Sequence, residues 1–174
     1  DPLPQGIVDP LVILCVAYLN RDCVLREAGL FRIPGEVSSV KKIRSDYIRG
    51  EPVDLMQVLD PHTIAGLLKY HFREWRVSII PRGKPLQEVT AAVKDRDEER
   101  VRQVLQGLPR DSLATLRLVT ELLSKVVEYS EWNMMTSGTL ATSCGQSFFP
   151  YLPSSPANSL LKFMVDHVTT LFPE

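Results

Sequence analysis

Apolar positions along this chain recur at helical spacing from near its start to its end. Asp9-Pro10 pairs an N-cap acceptor with a proline at the first helical position. The helix it opens is expected to run to about Asn20 with Leu11, Ile13, Leu14, Val16, Ala17 and Leu19 turned inward. Glu36 to Ile48 predicts a second, more polar helix carrying Val37, Val40, Ile43 and Ile48, stopped by Gly50-Glu51-Pro52. Asp60-Pro61 repeats the cap-and-proline signal and opens a helix through about Trp75, with Ile64, Leu67, Leu68, Phe72 and Trp75 on one stripe. Val77 to Pro85 reads as a loop, and Leu86–Val93 and Glu98–Leu105 as two short helices.

After the break at Gly107-Leu108-Pro109 comes the most regular pattern, about Asp111 to Tyr129. Leu113, Leu116, Val119, Leu122, Leu123, Val126 and Val127 fill one half of its wheel; Arg117, Glu121, Ser124 and Lys125 fill the other, with Glu121 and Lys125 as an i,i+4 pair. Thr136 to about Ser147 predicts a helix of small residues that neighbours can approach closely. Phe148 to Pro153 is a non-helical apolar loop, and Ser155 or Pro156 starts a last helix to about Leu171. With no β alternation and no internal repeat, the expectation is an all-α chain, one helical domain of about eight or nine helices over residues 1–174.

Composition narrows the function classes. The 174 residues are 44% hydrophobic and 24% charged, which suits a folded domain with a sizeable core. Lys and Arg number 20 against 21 Asp and Glu, a net charge of −1. That balance excludes a general nucleic-acid binder and leaves room only for a local basic patch. Cys15, Cys23 and Cys144 are odd in number and widely spaced, the pattern of reduced cytosolic thiols rather than a disulfide framework. No apolar run approaches the roughly 18 residues that span a membrane, so direct insertion is not expected. The chain begins at Asp1 without a Met, and we read it as a cytoplasmic domain cut from a longer protein, with any membrane recruitment coming from regions outside it.

Most catalytic signatures are missing. There is no Gly-rich phosphate loop or dinucleotide fingerprint. His62, His71 and His167 have no metal-ligand spacing with each other or with the cysteines, so no metal is expected. Cys144 sits among small residues with no base marked out for it, and Gly145-Gln146-Ser147 lacks the second glycine of a nucleophile elbow. The acids Asp95, Asp97, Glu98 and Glu99 read as a solvated helix start.

Two cationic features remain. Gly29-Leu30-Phe31-Arg32-Ile33-Pro34-Gly35 places one arginine between apolar residues that can anchor the segment. Gly29 and Gly35 can take backbone angles closed to other residues, and Pro34 fixes its own φ and pushes Ile33 toward an extended form. A stiff loop holding one guanidinium outward would suit phosphate; an ordinary surface arginine in a turn fits this segment equally well. Lys69 and Arg73 lie four apart on the face opposite the Ile64/Leu67/Leu68/Trp75 stripe, near Arg76, with no acid at i±4 to relieve them. They are either a solvated face or a patch for an acidic partner or phosphate.

Taken together, four motifs in order resemble the Rho GTPase-activating (RhoGAP) domain family. Gly29 to Gly35 resembles that family's arginine-finger loop. Leu67-Leu68-Lys69-Tyr70-His71-Phe72-Arg73-Glu74 resembles its Leu-Lys-x-x-x-Arg-Glu helix. Leu108-Pro109 precedes the Leu-rich helix, and Asn133-Met134-Met135-Thr136 leads into Leu140-Ala141. The resemblance covers about residues 5–172 and implies a RhoGAP-like bundle. It also implies binding to GTP-loaded Rho-family small GTPases (Rho, Rac and relatives), with Arg32 inserted into the partner's active site as the catalytic residue. Such a domain is a GTPase activator acting in trans, not an enzyme in its own right. It has no cofactor of its own, since GTP and Mg belong to the GTPase, and nothing in the sequence demands more than a monomer. By the same resemblance Lys69 and Arg73 are the basic pair that supports the finger loop and contacts the GTPase, Thr139 and Ser147 face the partner, and Gly29, Pro34 and Gly35 scaffold the finger loop.

The departures define a divergent member. Thr139 stands where the family has Asn before Leu-Ala, and Gln146-Ser147 where it has Pro-Asn. Neither Thr nor Ser offers the paired donor and acceptor of an amide. Ala28 replaces an acidic residue, and Trp75-Arg76-Val77 replaces the usual turn after Arg-Glu. The alternative reading is therefore a GTPase-binding or scaffolding module with weak or no activation. A third, a helical protein with an unrelated task, is disfavoured by the absence of any nucleophile, metal or cofactor motif.

Overall fold

The computed structural model describes residues 8–75 and 78–173, all helix, turn and loop with no strand among them. Eleven α-helices follow in order: α1 (Pro10–Leu19), α2 (Asp22–Leu25), α3 (Val37–Ile48), α4 (Pro61–Glu74), α5 (Lys84–Lys94), α6 (Glu98–Gln106), α7 (Arg110–Glu128), α8 (Ser130–Asn133), α9 (Ser137–Phe148), α10 (Ser154–Asp166) and α11 (Val168–Leu171), with a 3₁₀ turn at Leu55–Gln57. The eight longer helices are the expected ones. The single-turn helices α2, α8 and α11 carry too few residues to show a period. The helix expected to reach Leu171 is interrupted at His167 (φ −119°, ψ 28°), where α10 ends and α11 begins.

Caps follow the sequence. The Asp9 and Asp60 side chains accept from Leu11 N and His62 N, with proline at the first position of α1 and α4, and Asp97 accepts from Arg100 N at the start of α6. On α7, Leu116, Val119, Leu122, Leu123 and Val126 are buried as expected. Its exposed pairing differs: Glu121 meets Arg117 at 2.9 Å, and Lys125 meets Glu128 at 3.6 Å.

α4 is the hub. It packs against α1, α3 and α9, so nearly its whole surface is covered and the simple inward/outward division of its wheel breaks down. α1 departs further from expectation. Leu11, Val12, Cys15, Val16, Tyr18 and Leu19 are buried, whereas Ile13, Leu14 and Ala17 face outward. Both sides of α1 are apolar, so its pattern gives no direction, and contact with α4 and α7 decides which side is covered.

A buried polar cluster joins α1, α3 and α4. Asp9 accepts from Leu11 N at 2.8 Å and from the Tyr47 hydroxyl at 2.7 Å, and His71 Nε2 lies 3.3 Å from its second oxygen. Arg44 Nε donates to His71 Nδ1 at 3.1 Å, which leaves the ring proton on the nitrogen facing Asp9. Burial pulls the Asp9 carboxyl up, but His71, Tyr47 and the backbone bond outweigh it and hold it below the ordinary carboxylate value. A carboxyl depressed in the folded state stabilises the fold above its unfolded value, and that contribution is lost as pH falls through the folded one. Asp9→Asn is therefore expected to lower Tm at neutral pH. The gap to wild type should close below about pH 4, as read by circular-dichroism melts in an acid series. A gap that persists unchanged at low pH would remove the carboxylate from this role.

The cysteines divide by burial. Cys15 and Cys144 are buried and Cys23 is exposed. Burial pushes the Cys144 thiol up to about 12, with Lys69 pulling weakly the other way, and burial pushes Cys15 higher still. Since thiolate is the reactive form, iodoacetamide should label Cys23 alone in the native protein, read by intact mass and peptide mapping. Labelling of all three thiols at similar rates would contradict this packing.

Candidate functional site

Residues 26–33 form turns between α2 and α3, as the Gly and Pro placement predicts. Leu30 and Phe31 are fully buried and anchor the loop, while Ile33, expected to help, is 39% exposed. Gly29 and Phe31 both take left-handed backbone angles, φ 71° and 73°. For Phe31 this costs about 1–3 kcal/mol. Burial of its ring, worth about 1.5–3 kcal/mol, offsets that cost. Arg32 is exposed at the turn that results, with Arg32 N and Ile33 N both donating to Gly29 O at 2.8 and 2.9 Å.

Three contacts hold the loop from outside. Gly29 N donates to Asn133 O at 2.8 Å. Lys69 Nζ donates to Phe31 O at 3.0 Å. Gly35 lies so close to the first turn of α4 that a Cβ there would sit 2.4 Å from Thr63 Cα and 2.6 Å from His62 O. Just before the loop, Glu27 Oε1 stands 3.4 Å from His62 Nε2. Pro34 is exposed beside Arg32.

Lys69 and Arg73 have different surroundings. Lys69 is half-buried, tied to Phe31 O and close enough to Cys144 of α9 to influence its thiol. Arg73 is exposed, its guanidinium 5.6 Å from the Tyr70 ring centre, with Arg44 at 5.7 Å from the same ring. Among the described residues, none of Arg32, Lys69 and Arg73 pairs with a carboxylate. Arg76 and Val77 lie outside the described residues.

On α9, Thr139 is exposed and engaged locally. Its hydroxyl bonds Thr136 N at 2.7 Å and its own N–H donates to Thr136 Oγ1 at 3.2 Å, a reciprocal capping box. Ser147 is buried near the end of the same helix. Asn133, which heads the Asn133-Met134-Met135-Thr136 motif, is buried and bonded to both sides of the joint below the loop. The motif marked the position but not this role, because its partners Leu25 and Val126 lie outside the motif. Among the described residues no cluster could hold a metal ion, and no helix is long and apolar enough to cross a membrane.

This arrangement, an all-helical bundle presenting one arginine on a braced loop beside a basic helix, meets a family profile. The RhoGAP domain profile matches residues 10–152. The chain belongs to the RhoGAP domain family. Human SLIT-ROBO Rho GTPase-activating protein 3 is 30% identical over 183 residues, covering 97% of this chain and 16% of that protein. Rho GTPase-activating protein gacY of Dictyostelium discoideum is 35% identical over 130 residues, 72% of this chain and 18% of its own length. This RhoGAP domain thus spans under a fifth of the length of these two relatives. Its fold is that of solved members. Human Rho GTPase activating protein 15 superposes with a TM-score of 0.83 at 21% identity, covering 95% of this chain and 84% of that one. The BH domain from Graf, the GTPase regulator associated with focal adhesion kinase, gives 0.82 at 19%, covering 94% and 93%.

Proposed function

We propose that this RhoGAP domain activates GTP hydrolysis by Rho-family small GTPases, with Arg32 supplied in trans as an arginine finger. The observation that carries the reading is Arg32 itself: an exposed guanidinium with no carboxylate partner among the described residues, on a loop whose backbone is fixed by Gly29, Phe31 and Lys69. Phosphoryl transfer spreads negative charge over the transferred group, and a preorganised cation placed there lowers the barrier without reorganising at the moment of reaction. GTP and Mg²⁺ belong to the partner. Lys69 steadies the loop from behind, and Arg73 and the exposed end of α9 around Thr139 offer the surrounding contact surface. The test is single-turnover GTP hydrolysis by a panel of purified Rho-family GTPases, with and without the domain. Acceleration supports the reading and names the substrates; no acceleration by any member at saturating domain overturns it.

One observation favours a second reading, a module that binds a GTP-loaded GTPase without efficient activation. The Thr139 hydroxyl is engaged in the α9 cap and Ser147 is buried, and neither residue carries the amide expected at its position. Saturable binding without acceleration in the same panel is its signature.

A further inference from the structure

Asn133, at the end of the one-turn helix α8, is completely excluded from solvent. A buried amide is costly unless its groups are bonded, and here they are. Nδ2 donates to Leu25 O and to Val126 O, both at 2.8 Å, and Oδ1 accepts from Met135 N at 2.8 Å. One side chain thus ties the end of α2, the last turns of α7 and the entry to α9. Both amide hydrogens are used, which fixes the side chain's orientation.

The backbone of Asn133 continues the path. Its carbonyl accepts from Gly29 N at 2.8 Å, and Gly29 O in turn accepts from Arg32 N and Ile33 N. The peptide that carries the Arg32 turn therefore hangs from a carbonyl whose direction the Asn133 side chain sets. Both sides of the joint take left-handed backbone angles: Gly29 has φ 71°, which glycine adopts at no steric cost, and Met134, directly after Asn133, has φ 62° and is 64% exposed. α8 is a single turn that follows α7 directly, with Asn133 N on Tyr129 O and Met134 N on Ser130 O, and the Asn133 side-chain bonds add the ties that fix this carbonyl against α2 and α7. Lys69 braces the opposite side through Phe31 O.

We propose that Asn133 is a positioning residue for Arg32, setting the height and direction of the finger loop from behind while touching neither GTPase nor nucleotide. This rests on the arginine-finger reading given above. Removing the side chain should leave the loop's apolar anchors in the core but free its first peptide, so the cost falls on the transition state more than on docking.

The experiment titrates a responsive GTPase to saturation in single-turnover assays, so that maximal rate and Kd are separate, with melts confirming that each variant is folded at the assay temperature. Asn133→Ala is expected to lower the maximal rate by about 10- to 100-fold while Kd for the GTP-loaded partner moves less than about threefold. Leu122→Ala, a core truncation in α7, controls for general destabilisation and should keep the wild-type maximal rate. A wild-type maximal rate in Asn133→Ala, or equal losses in both variants, overturns the proposal. If Asn133→Ala does not fold, amide exchange on the wild-type domain decides. The Gly29 amide should be protected like those of α7, and exchange at the rate of an open loop overturns the anchor. Arg32→Ala runs alongside: full acceleration there defeats the finger reading itself, a result separable from failure of the anchor.

Discussion

Replacing Arg32 with alanine should remove nearly all acceleration of GTP hydrolysis, a loss of roughly 10³- to 10⁵-fold in rate if the guanidinium acts as a finger. The structure makes this a clean substitution. The loop is held by Leu30 and Phe31 in the core, by Lys69 on Phe31 O and by Gly29 on Asn133 O, and none of these contacts uses the Arg32 side chain. Stability should therefore be unchanged within the usual surface range of about 0.5 kcal/mol. Most affinity for the GTP-loaded partner should remain, because the interaction matures only as charge develops on the transferred phosphoryl group. Arg32→Lys restores the charge but not the planar fork, so it should recover little. The check is single-turnover hydrolysis at saturating domain beside a binding isotherm. Equal acceleration by Arg32→Ala and wild type would remove Arg32 from the mechanism.

Gly35→Ala should be the most damaging single-methyl change near the site. Its new Cβ would stand 2.4 Å from Thr63 Cα and 2.5 Å from Thr63 N, and contacts under 3.0 Å are essentially never tolerated. The obstacle is the backbone of α4, the helix on which the bundle is built, so it is the loop that must move. Restoring an ordinary 3.4 Å contact shifts it by about 1 Å, the difference 3.4 − 2.4. Overpacking of this kind costs about 1–3 kcal/mol. A misplacement of about 1 Å in a catalytic group can cost on the order of 10²-fold in rate. Thermal melts and single-turnover assays on Gly35→Ala should show both effects. Wild-type stability together with wild-type rate would mean the loop does not sit against α4 as described.

The legible parts of this protein are those whose cause is local. α7 declares itself because its apolar residues keep helical period over 19 residues, and Asp9, Asp60 and Asp97 mark helix starts because a cap needs only its own first turn. The arginine loop is readable from Gly29 for the same reason, whereas Gly35, expected for its backbone freedom, takes no left-handed angle and is required instead by close packing on Thr63 of α4. What stays hidden depends on distant neighbours. Ile13, Leu14 and Ala17 match Leu11 and Val16 in polarity, and only the placement of α4 and α7 sends them outward. Lys69, with no acid at i±4, looks like a free surface cation; its actual partner is a carbonyl 38 residues earlier. The capping box on α9 uses threonine at both positions, a weaker signature than the usual Glu or Gln at the third. Asn133 stands in a motif that resembles the family's, but its bracing role shows only once α2 and α7 lie on either side of it.

That last bond has a consequence for how the domain comes into being. Asn133 reaches Leu25 across 108 residues of chain, and contacts that distant form late, because loop closure must be met before they contribute. During synthesis the segment carrying Arg32 leaves the ribosome early, but the carbonyl that aims it emerges more than a hundred residues afterwards. On the finger reading proposed above, the loop carrying Arg32 lacks its brace from behind until α8 has followed it out.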